Sequence, residues 1–278
     1  MPTHDLQVVL VGSTDRAEFR DARQTLDALG RVLAFPSVQS AAAAIEAGGA
    51  APDVLVIAQA YPGQFPRSTI EQLRHLAPLA RVIALLGTWC EGETRTGRPW
   101  PAVIRLYWHQ GPARCRQELL RLVEGRGSSW GLPLTATDEE RLLAAAERRP
   151  PPRRGLIAIF TPRADMEAFL AAACRSCGYA TVWLPPGQSV GVRGATAAIY
   201  DGCELRAVEL DDLRRLAANL APTPILAILH FPRPDDYRLA LAAGAAALLA
   251  KPLHVDDLLE QLDEIQQDEA AVHGPAPK

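Results

Sequence analysis

The sequence predicts an α/β protein made of two tandem doubly wound domains, each with a five-stranded parallel sheet. Short apolar runs of strand length alternate with amphipathic stretches of helix length, a pattern typical of parallel sheets covered on both faces. The pattern stops between residues 126 and 154, where Gly, Ser, Pro and Arg are concentrated, and then begins again. The length of 278 residues suits two domains of about 100 to 150 residues each.

The first domain, residues 1–125, contains five predicted strands. The apolar run LQVVLV at 6–11 is the first of them, and Gly12 and Ser13 separate it from an amphipathic helix at 15–29 that Gly30 ends. The further predicted elements are a strand at 31–35, a helix around 40–47, a strand at 53–57, a helix at 68–76, strands at 81–86 and 103–108, and a helix at 113–124.

Residues 126–154 are predicted to form a linker that contains one short helix. Thr137 and Glu140 have the spacing of a capping box, so this helix is expected to begin after Thr137. The run RRPPPRR at 148–154 cannot continue a helix and is expected to be a stiff extended connector.

The second domain, residues 155–278, repeats the order of the first. Its predicted strands are 156–160, 181–184, 196–200, 225–229 and 246–250, its predicted helices are 165–177, 208–219, 234–243 and 255–267, and a polar tail follows from Asp268. We therefore interpret the chain as a tandem repeat of one α/β unit.

Composition and charge exclude several classes of function. Hydrophobic residues make up 48% of the chain and the net charge is −3, which is typical of a folded domain and argues against nucleic-acid binding through bulk positive charge. The longest apolar run, 239–250, is too short to cross a bilayer, and residues 1–5 lack the basic segment of a signal peptide. We expect a cytoplasmic protein without membrane or nucleic-acid contacts, whose five cysteines stay reduced.

Residues 155–267 resemble the receiver domains of two-component response regulators, which have a flavodoxin-like fold. The resemblance lies in Asp201 after the third strand (AAIYDG), in the segment PILAILHFPRPDDYRLALAAGAAALLAKP at 224–252, and in the helix DDLLEQL after it. In this family the aspartate accepts a phosphoryl group, which Mg²⁺ neutralises and which a Lys and a Thr or Ser contact. The resemblance implies a phosphoacceptor-like pair, Asp201 and Lys251.

The chain departs from the receiver pattern at the positions that complete this chemistry. Phe160 and Thr161 stand where the family has an acidic pair that helps to hold Mg²⁺, and Leu229 stands at the Thr or Ser position. Leu248 replaces the usual aromatic residue of the fifth strand. We therefore expect weak Mg²⁺ binding at Asp201 at most, and no other cofactor.

Two interpretations of the Asp201–Lys251 pair are open at this point. The pair is either a buried ion pair that closes the edge of the sheet without phosphoryl transfer, or the core of a phosphorylation site. Of the 29 Lys and Arg residues only Lys251 and Lys278 are lysines, so the single internal lysine occupies this position. A compact ammonium and a wide guanidinium are not interchangeable, which favours a site that requires lysine.

The first domain resembles a receiver only in the order of its elements and in PDVLVIA, where Ala58 replaces the phosphoacceptor. Its unusual feature is the segment 88–110 after the fourth strand, which begins at the edge where open parallel sheets bind ligands. Three of the five tryptophans lie here. The residues predicted to contact a ligand or a partner are Trp89, Cys90, Glu91, Arg95, Arg98, Trp100 and His109.

Three interpretations of segment 88–110 follow from these residue types. Arg forks and aromatic rings suit an anionic ligand or a protein partner. Alternatively, the segment is an Ω-type loop that replaces a helix, with tryptophans packed inward and Arg–Glu pairs holding its shape. An enzymatic variant needs Cys90 and His109 within hydrogen-bond reach as a thiolate–imidazole pair.

No helix-turn-helix, histidine-kinase motif or catalytic output domain is visible. The favoured function is a non-catalytic signalling protein of the pseudo-receiver type that acts through protein contacts. The alternatives are a response regulator phosphorylated at Asp201, and a small-ligand-binding protein or enzyme that uses segment 88–110.

Overall fold

Two sets of five parallel strands organise the chain. The computed structural model describes residues 6–93, 97–125, 128–132, 137, 153–186, 192–253 and 255–273. The internal contacts divide the chain into two units, Met1–Arg149 and Pro150–Lys278. Each unit contains one five-stranded sheet and is described by itself.

The first sheet has the strand order β2-β1-β3-β4-β5, and all of its pairings are parallel. Its elements are β1 Gln7–Val11, α1 Arg20–Leu29, β2 Arg31–Phe35, α2 Val38–Glu46, β3 Val54–Gln59, α3 Arg67–Leu76, β4 Arg81–Leu86, β5 Ile104–Tyr107 and α4 Gly111–Val123. Short 3-10 helices lie at Ala17–Phe19, Thr88–Cys90 and Ser129–Gly131.

Both faces of the first sheet are covered, which explains its continuous apolar strands. Every residue of β3 is buried. Helices α1 and α4 pack against each other, as do α2 and α3. Helix α2 begins at a capping box in which Ser37 and Ser40 bond each other's backbone amides. Between β4 and β5, Trp100 joins the core cluster that contains Ile70 and Leu73 of α3.

The second sheet has the order β7-β6-β8-β9-β10, again all parallel. Its elements are β6 Leu156–Phe160, α5 Ala164–Ser176, β7 Ala180–Leu184, β8 Ala195–Asp201, α6 Ala207–Leu220, β9 Ile225–His230, α7 Pro234–Ala242, β10 Ala247–Lys251 and α8 Val255–His273. Alternate residues of β6 enter two separate cores, because successive side chains of a strand point to opposite faces. Ile157 and Ile159 meet α5 and α8, whereas Ala158 packs on the side of α6 and α7.

The predicted fold class is confirmed. Both sheets have the order 2-1-3-4-5 when their strands are numbered within each domain, which is the flavodoxin-like order. Two helix bounds differ from the predicted ones by five residues or more. The helix predicted from residue 15 begins at Arg20, because Ala17–Phe19 forms a 3-10 turn. Helix α8 continues to His273 rather than ending at 267, since residues 268–273 include neither Gly nor Pro.

The short helix predicted after Thr137 lies outside the described residues, as does most of the run at 148–154. The linker at 126–154 therefore stays a prediction, with domains at 1–125 and 155–278. In the part of the chain that the structure describes, no helix is both long and apolar enough to cross a membrane.

Candidate functional site

The carboxyl edge of the second sheet collects the polar residues that the sequence singles out. Asp201 is the last residue of β8 and Lys251 the last of β10, and Thr161 follows β6 directly. Because parallel strands all end at the same edge, three positions distant in sequence meet there. All three residues are buried, with 7%, 6% and 0% of the surfaces of Asp201, Lys251 and Thr161 exposed.

Asp201 has a donor on each carboxylate oxygen. The Lys251 ammonium lies 2.6 Å from Oδ1 of Asp201 and also donates to the carbonyl oxygen of Gly202 at 2.6 Å. The Thr161 hydroxyl donates to Oδ2 at 2.7 Å. The carboxylate is thus neutralised by one cation and held in orientation by a neutral hydroxyl.

Thr161 is the residue whose role sequence reasoning missed. The pattern shows only that an acidic residue is replaced at this position, and it does not show what the replacement does. The Thr161 oxygen also accepts a hydrogen bond from the backbone N–H of Arg163 at 3.1 Å. This second bond fixes the hydroxyl so that its proton points to Asp201. The residue type could have indicated this role, because the hydroxyl of a threonine beside a buried carboxylate can donate a hydrogen bond to it.

The residues around Asp201 do not fit a Mg²⁺ ion. Mg²⁺ requires near-octahedral oxygen ligands, several of them commonly carboxylates or waters. Here both oxygens of the Asp201 carboxylate accept hydrogen bonds, from Thr161 and from Lys251. The Lys251 ammonium would repel a Mg²⁺ ion bound to the same carboxylate. Among the described residues, no group of three His, Cys, Asp or Glu side chains could hold a metal. The arrangement suits a closed ion pair better than a metal site.

Asp165 is the nearest acidic residue along the chain after Thr161, and it does not cap α5. The N-cap position belongs to Arg163, and Asp165 is the second residue of the helix. Its exposed carboxylate pairs with the Arg163 guanidinium, and this hydrogen bond lowers the pKa of Asp165. Asp165 is therefore not the N-cap residue, because α5 begins one residue before it, at Ala164.

His230 pairs in register with Lys251 at the ends of β9 and β10. Its backbone N–H donates to the carbonyl of Cys203 at 2.9 Å. Partial burial and the nearby Lys251 charge lower the pKa of His230, against the opposing effect of Asp201. The direction of this shift disfavours a charged imidazole beside Lys251.

In the first domain, the residues of segment 88–110 divide into exposed and buried sets. Trp89 is 71% exposed, and Arg98 is also exposed. Trp100 is 7% exposed, and its Nε1 donates to the carbonyl of Phe65 at 3.2 Å. Arg95 lies outside the described residues. Inward packing of Trp100 is the arrangement expected where a loop takes the place of a helix.

Buried polar contacts tie this segment to the sheet. Glu93 accepts from the Arg105 guanidinium of β5 at 2.7 Å and from the Gln59 amide of β3 at 3.4 Å. The Cys90 thiol donates to the Gln59 carbonyl at 3.4 Å. Burial, with a smaller contribution from Glu93, raises the pKa of Cys90 to about 12. Such a thiol stays protonated at neutral pH and is a poor nucleophile, which argues against a Cys90–His109 catalytic pair.

The side chains of His109 and Glu91 lie next to each other in the interior, too far apart for a hydrogen bond. Nε2 of His109 lies 3.9 Å from Oε1 of Glu91, and the imidazole stacks on Tyr107 with 6.0 Å between ring centroids. Burial lowers the pKa of His109 to about 3 and raises that of Glu91 to about 7. The imidazole is therefore neutral at physiological pH. All five cysteines are free thiols.

The chain is similar to solved CheY-like receiver domains. The receiver domain of a Francisella response regulator is 14% identical with a TM-score of 0.37, and the match covers 41% of this chain and 98% of that one. A CheY-like receiver domain from Methanospirillum hungatei is 16% identical with a TM-score of 0.38, covering 43% and 99%. The receiver domain of a modulated diguanylate cyclase from Desulfovibrio desulfuricans is 20% identical with a TM-score of 0.36, covering 44% and 100%.

No family model and no curated protein matches the chain. At these identities, similarity to the solved domains concerns the fold and assigns no chemistry to any residue.

Proposed function

We propose that this chain is a non-catalytic signalling protein of the pseudo-receiver type, cytoplasmic, and acting through protein contacts. The observation that carries the proposal is the closed state of the Asp201 carboxylate. Both of its oxygens are engaged inside the protein, by Lys251 and by Thr161. A receiver without an available acceptor keeps the fold but loses the phosphorylation switch.

Phosphoryl transfer to Asp201 would require two changes that this edge opposes. The attacking oxygen would have to exchange its ammonium or hydroxyl partner for phosphorus, and the charge of the transferring group would have to be neutralised. Among the described residues, the Arg163 guanidinium is bound to Asp165 and the Lys251 ammonium is already bound to Asp201. We therefore expect Asp201 to remain unmodified.

The test is intact-mass spectrometry after incubation with acetyl phosphate and Mg²⁺. Wild type and Asp201→Asn are compared, beside a receiver domain that is known to accept phosphate from this reagent. We expect no phosphate adduct on either form of this chain. An adduct on wild type that Asp201→Asn lacks would overturn the proposal and establish the alternative, a phosphorylatable response regulator.

The proposed contact surface is the exposed part of segment 88–110. Trp and Arg dominate the binding energy of protein interfaces, and Trp89 and Arg98 are the segment's predicted site residues that are exposed in the described structure. Buried Trp100, Cys90 and His109 would support this surface rather than contact a partner. The partner is proposed to be a protein, with neither nucleic acid nor membrane involved.

Affinity capture tests this surface. Trp89→Ala and Arg98→Ala are expected to reduce partner recovery at least tenfold while leaving the thermal melt unchanged. Trp183→Ala is the matched control, because Trp183 is a half-exposed tryptophan of the second domain. Equal recovery by all four proteins would remove Trp89 and Arg98 from the proposed function.

A further inference from the structure

Trp89, the most exposed tryptophan of the described chain, is held at both of its neighbours. The backbone N–H and the hydroxyl of Thr88 both donate to one oxygen of Glu18, each at 2.9 Å. On the other side, the Cys90 thiol bonds the Gln59 carbonyl. The indole is therefore displayed by a short 3-10 turn whose flanks are attached to the sheet edge.

Directly after this turn, the side chain of Glu91 folds into the interior beside His109. The Glu91 side chain is 12% exposed, and its Oε1 is buried without a hydrogen-bond partner among the described residues. That oxygen lies 3.9 Å from Nε2 of His109, whose side chain is 2% exposed. A buried carboxyl without a bonded cation is stable only in its neutral form.

Several ionisable groups on the segments that flank this pair have partners of their own. Glu18 is bonded by Arg16 and Thr88, and Glu93 is bonded by Arg105. Tyr107 stacks on the imidazole, Cys90 lies in the segment, and α4 contributes the buried Cys115 and Glu118, of which Glu118 pairs with Arg121. Burial raises the pKa of both thiols to about 12, so neither changes charge near neutral pH.

The same burial places the charge change of Glu91 in the physiological range. Its pKa is raised to about 7, whereas that of His109 is lowered to about 3. Near pH 7 the imidazole is therefore neutral and offers no cation to an ionised Glu91. Ionisation then favours any arrangement in which the carboxylate reaches water.

We propose that Glu91 is a proton-dependent latch for the Trp89 turn. In the protonated form the side chain stays beside His109 and the turn is held on the sheet. In the ionised form the carboxylate leaves the interior and the turn loosens. The latch rests on the inward, unbonded carboxyl of Glu91 beside His109, directly after the turn. Its regulatory consequence, weaker partner contact at higher pH, rests on the proposed role of Trp89.

The test follows the indole N–H resonance of Trp89 in the full-length protein from pH 5.5 to 8.5. Trp89→Phe identifies the resonance. We expect it to shift with a single midpoint close to pH 7 in wild type, and to stay at its low-pH position throughout in Glu91→Gln, which mimics the neutral acid. Glu46→Gln removes an exposed glutamate of the same domain and is expected to titrate like wild type.

A Trp89 resonance that does not move, or one that titrates equally in Glu91→Gln, would overturn the latch. If Glu91→Gln fails to fold, the carboxyl carbon of Glu91 in wild type decides the matter, and a midpoint below pH 5 would equally overturn it. These measurements use no partner. Failure of the capture experiment would therefore leave the latch intact, and failure of the titration would leave the contact surface intact.

Discussion

The carboxyl edges of the two sheets occupy equivalent places in the fold but have different chemistry. Val11 and Phe160 end the first strand of each sheet, and they pair with Ile57 and Tyr200. The next residues are Gly12 and Ala58 in the first domain, but Thr161 and Asp201 in the second. The backbone fold therefore brings the two chain segments together in both domains, and the side chains decide whether a carboxylate site results.

The fifth strand repeats this contrast. Lys251 pairs with His230 at the end of the second sheet, whereas Tyr107 pairs with Leu86 at the equivalent place in the first. In the first domain a side chain at Gly12 would lie 2.8 Å from the carbonyl oxygen of Ala58, so this edge has no room for one. Its buried polar groups belong instead to segment 88–110. The same fold thus contains the buried Asp201–Lys251 ion pair in the second domain and, in the first, segment 88–110 bonded to the sheet.

The largest effect on stability is expected at the ion pair of Asp201 and Lys251. Lys251→Met leaves the Asp201 carboxylate buried without its cation, which costs about 3 to 5 kcal/mol. Urea unfolding followed at the indole resonance of Trp183, the only tryptophan in 155–278, reports on this domain alone. The double variant Lys251→Met/Asp201→Leu is expected to recover most of the loss. An unchanged midpoint for the single variant would contradict a buried ion pair.

In the first domain, two tryptophans of one segment should behave in opposite ways. Trp100→Ala removes a ring from the core beside Phe65 and is expected to cost about 3 to 5 kcal/mol. Trp89→Ala removes an exposed ring and is expected to stay within about 0.5 kcal/mol of wild type. Urea unfolding followed at the indole of Trp130, which is buried and belongs to the same unit of the chain, measures both. Equal losses would show that segment 88–110 is one folded unit rather than a buried anchor with an exposed turn.

The sequence predicted the architecture of this protein well and its sites only in part. Continuous apolar strands such as β3 and the restart after residue 154 are local patterns, so the sheets were readable. The engagement of Asp201 by Thr161 was not, because it depends on the geometry of strand ends 40 positions apart. Likewise, sequence placed Trp89 and Trp100 in one group. Their different burial depends on how the segment folds back over α3, which no spacing rule describes.

A smaller effect should separate Thr161 from Lys251. Thr161→Val keeps the shape of the side chain but removes the donor to Oδ2 of Asp201, a hydrogen bond to a charged group worth about 1.5 to 3 kcal/mol. Thr196→Val, in which the lost hydroxyl is exposed and its bond is long at 3.5 Å, is the matched control and should change little. The same urea titration at Trp183 measures both variants. No difference between them would mean that Thr161 does not hold the carboxylate.

The smallest and most specific effect concerns the pH dependence of the first domain. Burial raises the pKa of Glu91 from 4.5 to about 7, so its contribution to stability is full below pH 4.5 and is lost as pH rises towards 7. Burial lowers the pKa of His109 from 6.5 to about 3, so its contribution is full above pH 6.5 and is lost as pH falls towards 3.

Between pH 4.5 and 6.5 these two slopes oppose each other. In this window the unfolded chain carries one proton on His109, and the folded chain carries one proton on Glu91. The number of protons bound by the two residues is therefore the same in both states. The pair should therefore contribute no net slope in this window. The stability difference between wild type and Glu91→Gln, measured at the Trp130 indole, should fall with rising pH, because only wild type then carries the buried acid. A stability difference between wild type and Glu91→Gln that stays constant from pH 4.5 to 7 would contradict this prediction. It would mean that the Glu91 carboxyl is in water and that only His109 titrates in a buried position.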